Sequence, residues 1–229
     1  MIHLHHCVAA RSFRALWLLE ELGLPHRLTV WPFPPRVHAA GYLEVHPQGT
    51  VPLLIDGDTR LAESAAICEY LVARHGGDTP LKVRPDEADF GAWLQWLHFG
   101  EATLTFPQTL VLRYACFEPP ERRQPQVVAD YTQWFFARLR TLEAALQGPG
   151  AGPDHVCAGR FTVADVSLGY ALLLADELGL SSRFKPHVAA YWQALQQRPA
   201  YVRARLAERA AAIAQGVSPE SAVPRLPGL

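Results

Sequence analysis

Gly49-Thr50-Val51-Pro52-Leu53-Leu54, followed shortly by Glu63-Ser64-Ala65-Ala66-Ile67, decides how this chain is read. Pro52 has no backbone N–H to give a ladder, so it opens the apolar run Leu53-Leu54-Ile55 only at an edge, a strand start or a special turn. X-Pro is also where a cis peptide is accessible, and such a bond turns the preceding N–H and C=O outward together. Val51 is then able to pair with an extended peptide-like ligand as a neighbouring strand would. Glu63-Ser64 falls where a short strand, Thr59 to Ala62, hands over to a helix. Ser64 suits a capping role there, and the unbonded N–H groups and dipole of a helix start attract a carboxylate. Together the two stretches describe a receptor for a small acidic peptide.

Working outward, Ile2 to Cys7 reads as a strand with Ile2 and Leu4 on one face and His3 and His5 on the other. A helix starts at Arg11 and Ser12, carries Ala15, Leu18, Leu19 and Leu22 at helical spacing, and closes at Gly23 with Pro25 beyond. His26 to Trp31 resumes as a strand, so the first two strands are expected to be parallel. Pro32, Pro34 and Pro35 form an irregular loop before a short helix from His38 to Val45. Pro52 to Ile55 and Thr59 to Ala62 flank the turn Asp56-Gly57-Asp58, and a helix runs from Ser64 to Arg74, ending at Gly76-Gly77. The order β-α-β-α-β-β-α predicts an α/β thioredoxin-like domain over residues 1–77. Residues 78–85 read as a linker, and no strand signal follows. Residues 86–215 are expected to be all-helical: Asp86 to Cys116 with a kink at Pro107, one long helix from Glu121 to Gln147, then Val163 to Leu178, His187 to Gln197 and Tyr201 to Gln215. Gly148 to Asp154 is the main loop, and residues 216–229 form a tail that need not be ordered.

Composition narrows the function classes. The 229 residues are 49% apolar with a formal net charge of −1, which offers no broad electrostatic attraction for nucleic acid or an anionic membrane. Cys7, Cys68, Cys116 and Cys157 are scattered, which disfavours a disulfide scaffold or a structural zinc site. There is no basic segment followed by an apolar signal stretch and no run of about 20 apolar residues. These features predict a cytoplasmic protein with a small-molecule or protein partner.

Three motifs carry a family resemblance. Val51-Pro52 followed by Glu63-Ser64 resembles the glutathione-binding half of glutathione S-transferases. The segment from Arg11 to Pro25 resembles the first helix of their bacterial and fungal cytosolic branches. Gly159-Arg160-Phe161-Thr162-Val163-Ala164-Asp165 resembles the capping segment before a buried helix in their second domain. The resemblance covers residues 1 to 205. It implies glutathione as co-substrate, a homodimer, detoxifying conjugation to an apolar electrophile, and no metal. It also implies roles: Val51 pairs with the cysteinyl backbone, Glu63 takes the γ-glutamyl ammonium, and Ser64 takes its carboxylate. The glycyl carboxylate falls to His38, then Arg36, with Gln48 and Thr50 behind them. Glu101 corresponds to an acidic residue that reaches the ammonium across a dimer interface.

The thiol requires separate treatment, because only the thiolate is a good nucleophile. In serine-type relatives the activating hydroxyl lies four residues before the arginine that corresponds to Arg14; here that position is Ala10. Ser12 is the nearest hydroxyl and is either a thiolate donor or a helix N-cap. Cys7 is either a mixed-disulfide partner for glutathione or a small buried hydrophobe. Backbone N–H groups at the helix start are a third source of stabilisation. A disulfide reductase using Cys7 and a non-catalytic binding protein therefore stand beside the transferase reading. Thr162 and Asp165 have capping-box spacing, with Asp in place of the usual Glu or Gln. His3 and His5 share a strand face without a carboxylate partner in sequence, so they do not argue for a metal site. Trp93, Trp96, Phe99, Phe106 and Tyr114 are candidates for an apolar pocket or for core.

Overall fold

The computed structural model describes residues 1–226, which divide into two compact units. The first is Met1–Thr79 together with Gln196–Ala222; the second is Pro80–Leu195 joined by the segment from Val223.

The first unit is built on a mixed four-stranded sheet in the order β2-β1-β3-β4, from β1 (Ile2–His6), β2 (His26–Val30), β3 (Leu53–Asp56) and β4 (Thr59–Leu61). β1 pairs parallel to β2, with Leu4 beside Leu28, as the intervening helix requires; β3 runs antiparallel to both β1 and β4. Helix α1 (Phe13–Leu22) packs against β1, against α4 (Ser64–Arg74) and against the last helix of the chain. It is buried from Phe13 to Leu19, Arg14 included. A helix buried on every side over its first two turns is a core element rather than a surface one. The single short helix expected over His38 to Val45 is instead two, α2 (Pro35–His38) and α3 (Tyr42–Val45), separated by Gly41 in the left-handed region at φ 78°.

The second unit is entirely helical. α5 (Phe90–His98) begins later than the expected Asp86 and runs into wide π-type turns over Phe99–Thr105, then α6 (Phe106–Leu112) and further π-type turns to Phe117. Pro107 thus falls in the first turn of α6, where a missing N–H is tolerated, and the wider turns precede it. The long helix expected from Glu121 starts instead at Pro125: α7 spans Pro125–Ala145. Pro125 holds Gln124 out of the helical region (φ −127°, ψ 87°), so only a short 3₁₀ turn forms at Pro120–Arg122.

α8 (Val163–Glu177) is buried throughout from Val163 to Ala175 and lies against α5. The predicted capping box is present: Thr162 Oγ1 accepts from the Ala164 N–H at 3.3 Å, and Asp165 accepts from the Thr162 N–H at 2.8 Å. Gly100 permits a close approach here, because a Cβ on it would sit 2.5 Å from Ser167 Oγ. α9 (Pro186–Gln196) completes the unit.

α10 (Pro199–Ala214) was expected with the other helices but belongs to the first unit. The reason is its apolar face. Tyr201 meets Phe13 and Trp17 edge-on at centroid distances of 5.4 and 5.0 Å, while Arg198 forms a two-pronged ion pair with Glu21 at 2.9 and 3.1 Å. Of the expected tail, residues 216–226 are also placed, with the Val217 N–H on Ala212 O and the Leu226 N–H on Leu178 O, and residues 227–229 lie outside the described residues.

Candidate functional site

Sheet topology gathers the predicted residues of the first unit on one edge. β3 is antiparallel to β1, so the carboxyl end of β1 and its turn lie beside the start of β3. β4 pairs with β3 with Leu61 opposite Leu54, Cys7 packs with Val51, and Arg14 of α1 bonds Ser64 at the start of α4. The turn into α1, residue 51 and the start of α4 are therefore neighbours. Ligands of open α/β sheets collect at this kind of edge.

The Val51–Pro52 peptide is cis. Among the described residues, neither the N–H nor the C=O of Val51 meets a hydrogen-bond partner. The loop before it is fixed from both sides. Tyr42 Oη donates to Thr50 O at 2.8 Å, and Gly49, at φ +64°, lies so close to α2 that a Cβ would be 2.6 Å from Arg36 Cβ. Arg36 thus meets this loop through its Cβ, and the side chains of Arg36, His38, Gln48 and Thr50 are all exposed.

Glu63 occupies the N-cap position of α4 in extended conformation and its side chain is exposed, with no ion-pair partner among the described residues. Ser64 is the first helical residue and not the cap. Its buried hydroxyl accepts from Arg14 Nη1 at 3.2 Å. Arg14 was not foreseen as a site residue, although an arginine inside the apolar run of α1 was the available signal. It places a fixed positive charge beneath the entrance of α4, adding to the helix dipole.

The thiol side differs from both sequence expectations for Ser12. Its hydroxyl neither caps α1 nor reaches the surface; it is fully buried, 2.8 Å from His6 Nδ1. His6 Nε2 in turn lies 2.9 Å from Glu208 Oε2 on α10. With the ring proton on Nε2, His6 donates to the carboxylate and accepts from the serine, and Ser12 Oγ accepts the Cys7 N–H at 3.3 Å. The same Glu208 oxygen also accepts the Ala9 N–H at 3.0 Å. Cys7 is fully buried with Tyr42 and Val51, and burial pushes its thiol well above the usual range. His5, on the same face of β1, is held down to about 4 mainly by burial and accepts from Trp31 Nε1 at 3.0 Å; it is a neutral core ring. Among the described residues, no group of three or more His, Cys, Asp or Glu could hold a metal ion.

In the second unit Glu101 lies half-buried in the π-type segment. Of the aromatic candidates, Trp93 and Trp96 are core, Phe106 is 54% exposed, and Phe99 lines an open surface depression of about 540 Å³ with Leu94 and His98. Asp165 does structural work. It accepts from Val156 N–H and Tyr191 Oη as well as Thr162, and burial still pushes its carboxyl up to about 6.

Comparison with known proteins identifies the family. A family model described as the N-terminal domain of glutathione S-transferase matches residues 10–74. Glutathione S-transferase 3 of Schizosaccharomyces pombe is 36% identical over 209 residues, covering 87% of this chain and 85% of that protein. The chain belongs to the glutathione S-transferase family. Among solved family structures, the glutathione transferase URE2P6 from Phanerochaete chrysosporium, in complex with oxidized glutathione, is 26% identical with a TM-score of 0.75. The match covers 89% of this chain and 94% of that one. Ure2p5 from the same fungus, cocrystallized with 1-(S-glutathionyl)-2,4-dinitrobenzene, is 25% identical with a TM-score of 0.75, covering 93% and 96%. In this glutathione S-transferase-family chain, no helix among the described residues is long and apolar enough to cross a membrane.

Proposed function

We propose that the protein binds glutathione at the sheet edge and transfers its thiolate to a small apolar electrophile. The observation that carries this reading is the backbone of Val51, without a hydrogen-bond partner among the described residues, at the head of the hairpin that leads into the electropositive start of α4. Val51 pairs with the cysteinyl main chain. Glu63 takes the γ-glutamyl ammonium, and the N–H groups opening α4, with Ser64 and Arg14 behind them, take the carboxylate. Arg36, His38, Thr50 and Gln48 surround the glycyl end. Family relatives named as transferases, and a neighbour crystallised with a glutathionyl-dinitrobenzene, support the same chemistry.

In the reaction, with 1-chloro-2,4-dinitrobenzene as the electrophile, the thiolate attacks the ring carbon bearing chlorine. A C–S bond forms, the C–Cl bond breaks, and chloride leaves with the bonding pair. No oxidant is needed. Catalysis consists of holding the thiolate near the electrophile and favouring its ionisation. Ala10 offers no hydroxyl and that of Ser12 is engaged, so thiolate stabilisation falls to the backbone at the start of α1. A cytoplasmic homodimer in which Glu101 reaches its partner's ammonium, acting in detoxification, completes the proposal. Residues 1–77 carry the glutathione site under this reading.

Replacing Glu63 and Ser64 together by Ala is expected to weaken glutathione binding at least about 100-fold, since each lost charged hydrogen bond is worth about 1.5–3 kcal/mol. Calorimetric titration measures this, and unchanged affinity would refute the assignment. Ala10 also favours a second reading, a binding protein without catalysis. Wild-type protein that binds glutathione yet turns over no electrophile would establish that alternative.

A further inference from the structure

The last helix is fastened to the turn between β1 and α1 by one side of its surface. Glu208, Ala212 and Gln215 project at helical spacing toward that region. Ala212 packs with Val8, Ala9 and Val30. The Gln215 amide accepts from Val30 N–H at 2.9 Å and donates to Leu28 O at 3.1 Å, taking the place of a neighbouring strand on the edge of β2. Glu208 is fully buried, with one oxygen shared between His6 Nε2 and the Ala9 N–H. Arg205 Nη1 lies 2.9 Å from its other oxygen, near enough for an ion pair although not aligned as a hydrogen bond.

A buried carboxylate costs stability unless fully partnered, and here its two hydrogen-bond donors, His6 Nε2 and the Ala9 N–H, both belong to the end of β1 and the turn that follows. Ala9 adopts φ 54°, a left-handed conformation that L-residues rarely hold without external support. Its N–H on Glu208 supplies that support. The next residue is Ala10, the position where a hydroxyl is missing.

We infer that Glu208 is a positioning residue: from α10 it holds the Ala9–Ala10 backbone, and through His6 and Ser12 the Cys7 N–H, in the geometry that presents the start of α1 to the glutathione thiol. This rests on the reading that the thiol sits at that turn. With Ala10 lacking a hydroxyl and the Ser12 hydroxyl engaged with His6, the backbone's placement governs how well the thiolate is stabilised. Glutathione's main-chain anchors at Val51 and α4 are independent of Glu208.

The test compares wild type with Glu208→Gln, which keeps the shape and removes the charge. Amide hydrogen exchange without ligand is read at Ala9, with Leu4 in the sheet as control. Glutathione affinity comes from calorimetry, bound thiolate from its ultraviolet absorbance, and kcat and KM from turnover of 1-chloro-2,4-dinitrobenzene. The expected result is exchange at Ala9 at least about tenfold faster with Leu4 unchanged, less bound thiolate, kcat lowered roughly 10–100-fold, and glutathione affinity retained. Exchange at Ala9 that does not change, or faster exchange with thiolate absorbance and kcat intact, overturns the inference. Should the Gln variant not fold, Glu208→Asp, which keeps the charge but shortens its reach, carries the same comparison. Failure of wild type to bind glutathione would sink the proposed function, while the exchange comparison still decides whether Glu208 holds the turn.

Discussion

At the residue scale, burial separates side chains that look equivalent in sequence. Cys7 and Ser12 both lie in the turn where a thiol-activating group belongs, yet neither is exposed. The Cys7 sulfur sits 3.9 Å from Pro32 O inside an apolar cluster, and desolvation opposes its ionisation. Cys7→Ser is therefore expected to leave glutathione conjugation within about twofold, since an inert buried thiol contributes packing and not chemistry. A loss of activity together with a lost thiol–disulfide exchange reaction would favour the reductase. The Thr162–Asp165 box was legible in advance because its partners lie within four residues. The Ser12–His6–Glu208 chain was not, because its outer member is 202 positions from His6 and only the docking of α10 brings them together. A glutamate at a core spacing of α10 was the one trace of it in sequence.

At the element scale, strands and helix ends were readable wherever local chemistry decided them. Gly23 closes α1, and Asp56-Gly57-Asp58 turns β3 into β4. The first turn of α7 was misplaced because three prolines compete to start it, and the restriction that Pro125 imposes on Gln124 outweighs the favourable first-turn position of Pro120. The join between the β3–β4 hairpin and α4 carries a pH-dependent term. Asp56 Oδ2 accepts from His75 Nε2 at 2.6 Å and Tyr70 Oη at 2.9 Å, which hold its carboxyl below the usual range. A depressed folded value means the stabilisation is present above the unfolded pKa and lost as pH falls through the folded one. Asp56→Asn should thus cost about 1 kcal/mol at neutral pH, and the difference from wild type should vanish in acid. Denaturant unfolding at several pH values measures it; a difference that persists unchanged in acid would contradict the assignment.

At the scale of the whole molecule, the thioredoxin-like unit and the helical unit follow from the pattern of elements, because strand signals end where the helices begin. The placement of α10 did not follow. Its apolar stripe is compatible with either unit, and contacts distant in sequence settle the choice: Tyr201 against Phe13 and Trp17, Arg198 on Glu21, and Glu208 on His6. Family membership likewise fixes a fold and leaves activity to the site. The account depends on a main-chain receptor at residue 51 beside the mouth of α4. A crystal structure of the protein soaked with glutathione tests that most directly. The cysteinyl backbone is predicted to lie antiparallel to Val51, with the γ-glutamyl group on Glu63 and Ser64 and the sulfur over the start of α1. Glutathione bound elsewhere, or an empty edge at saturating ligand, would contradict it.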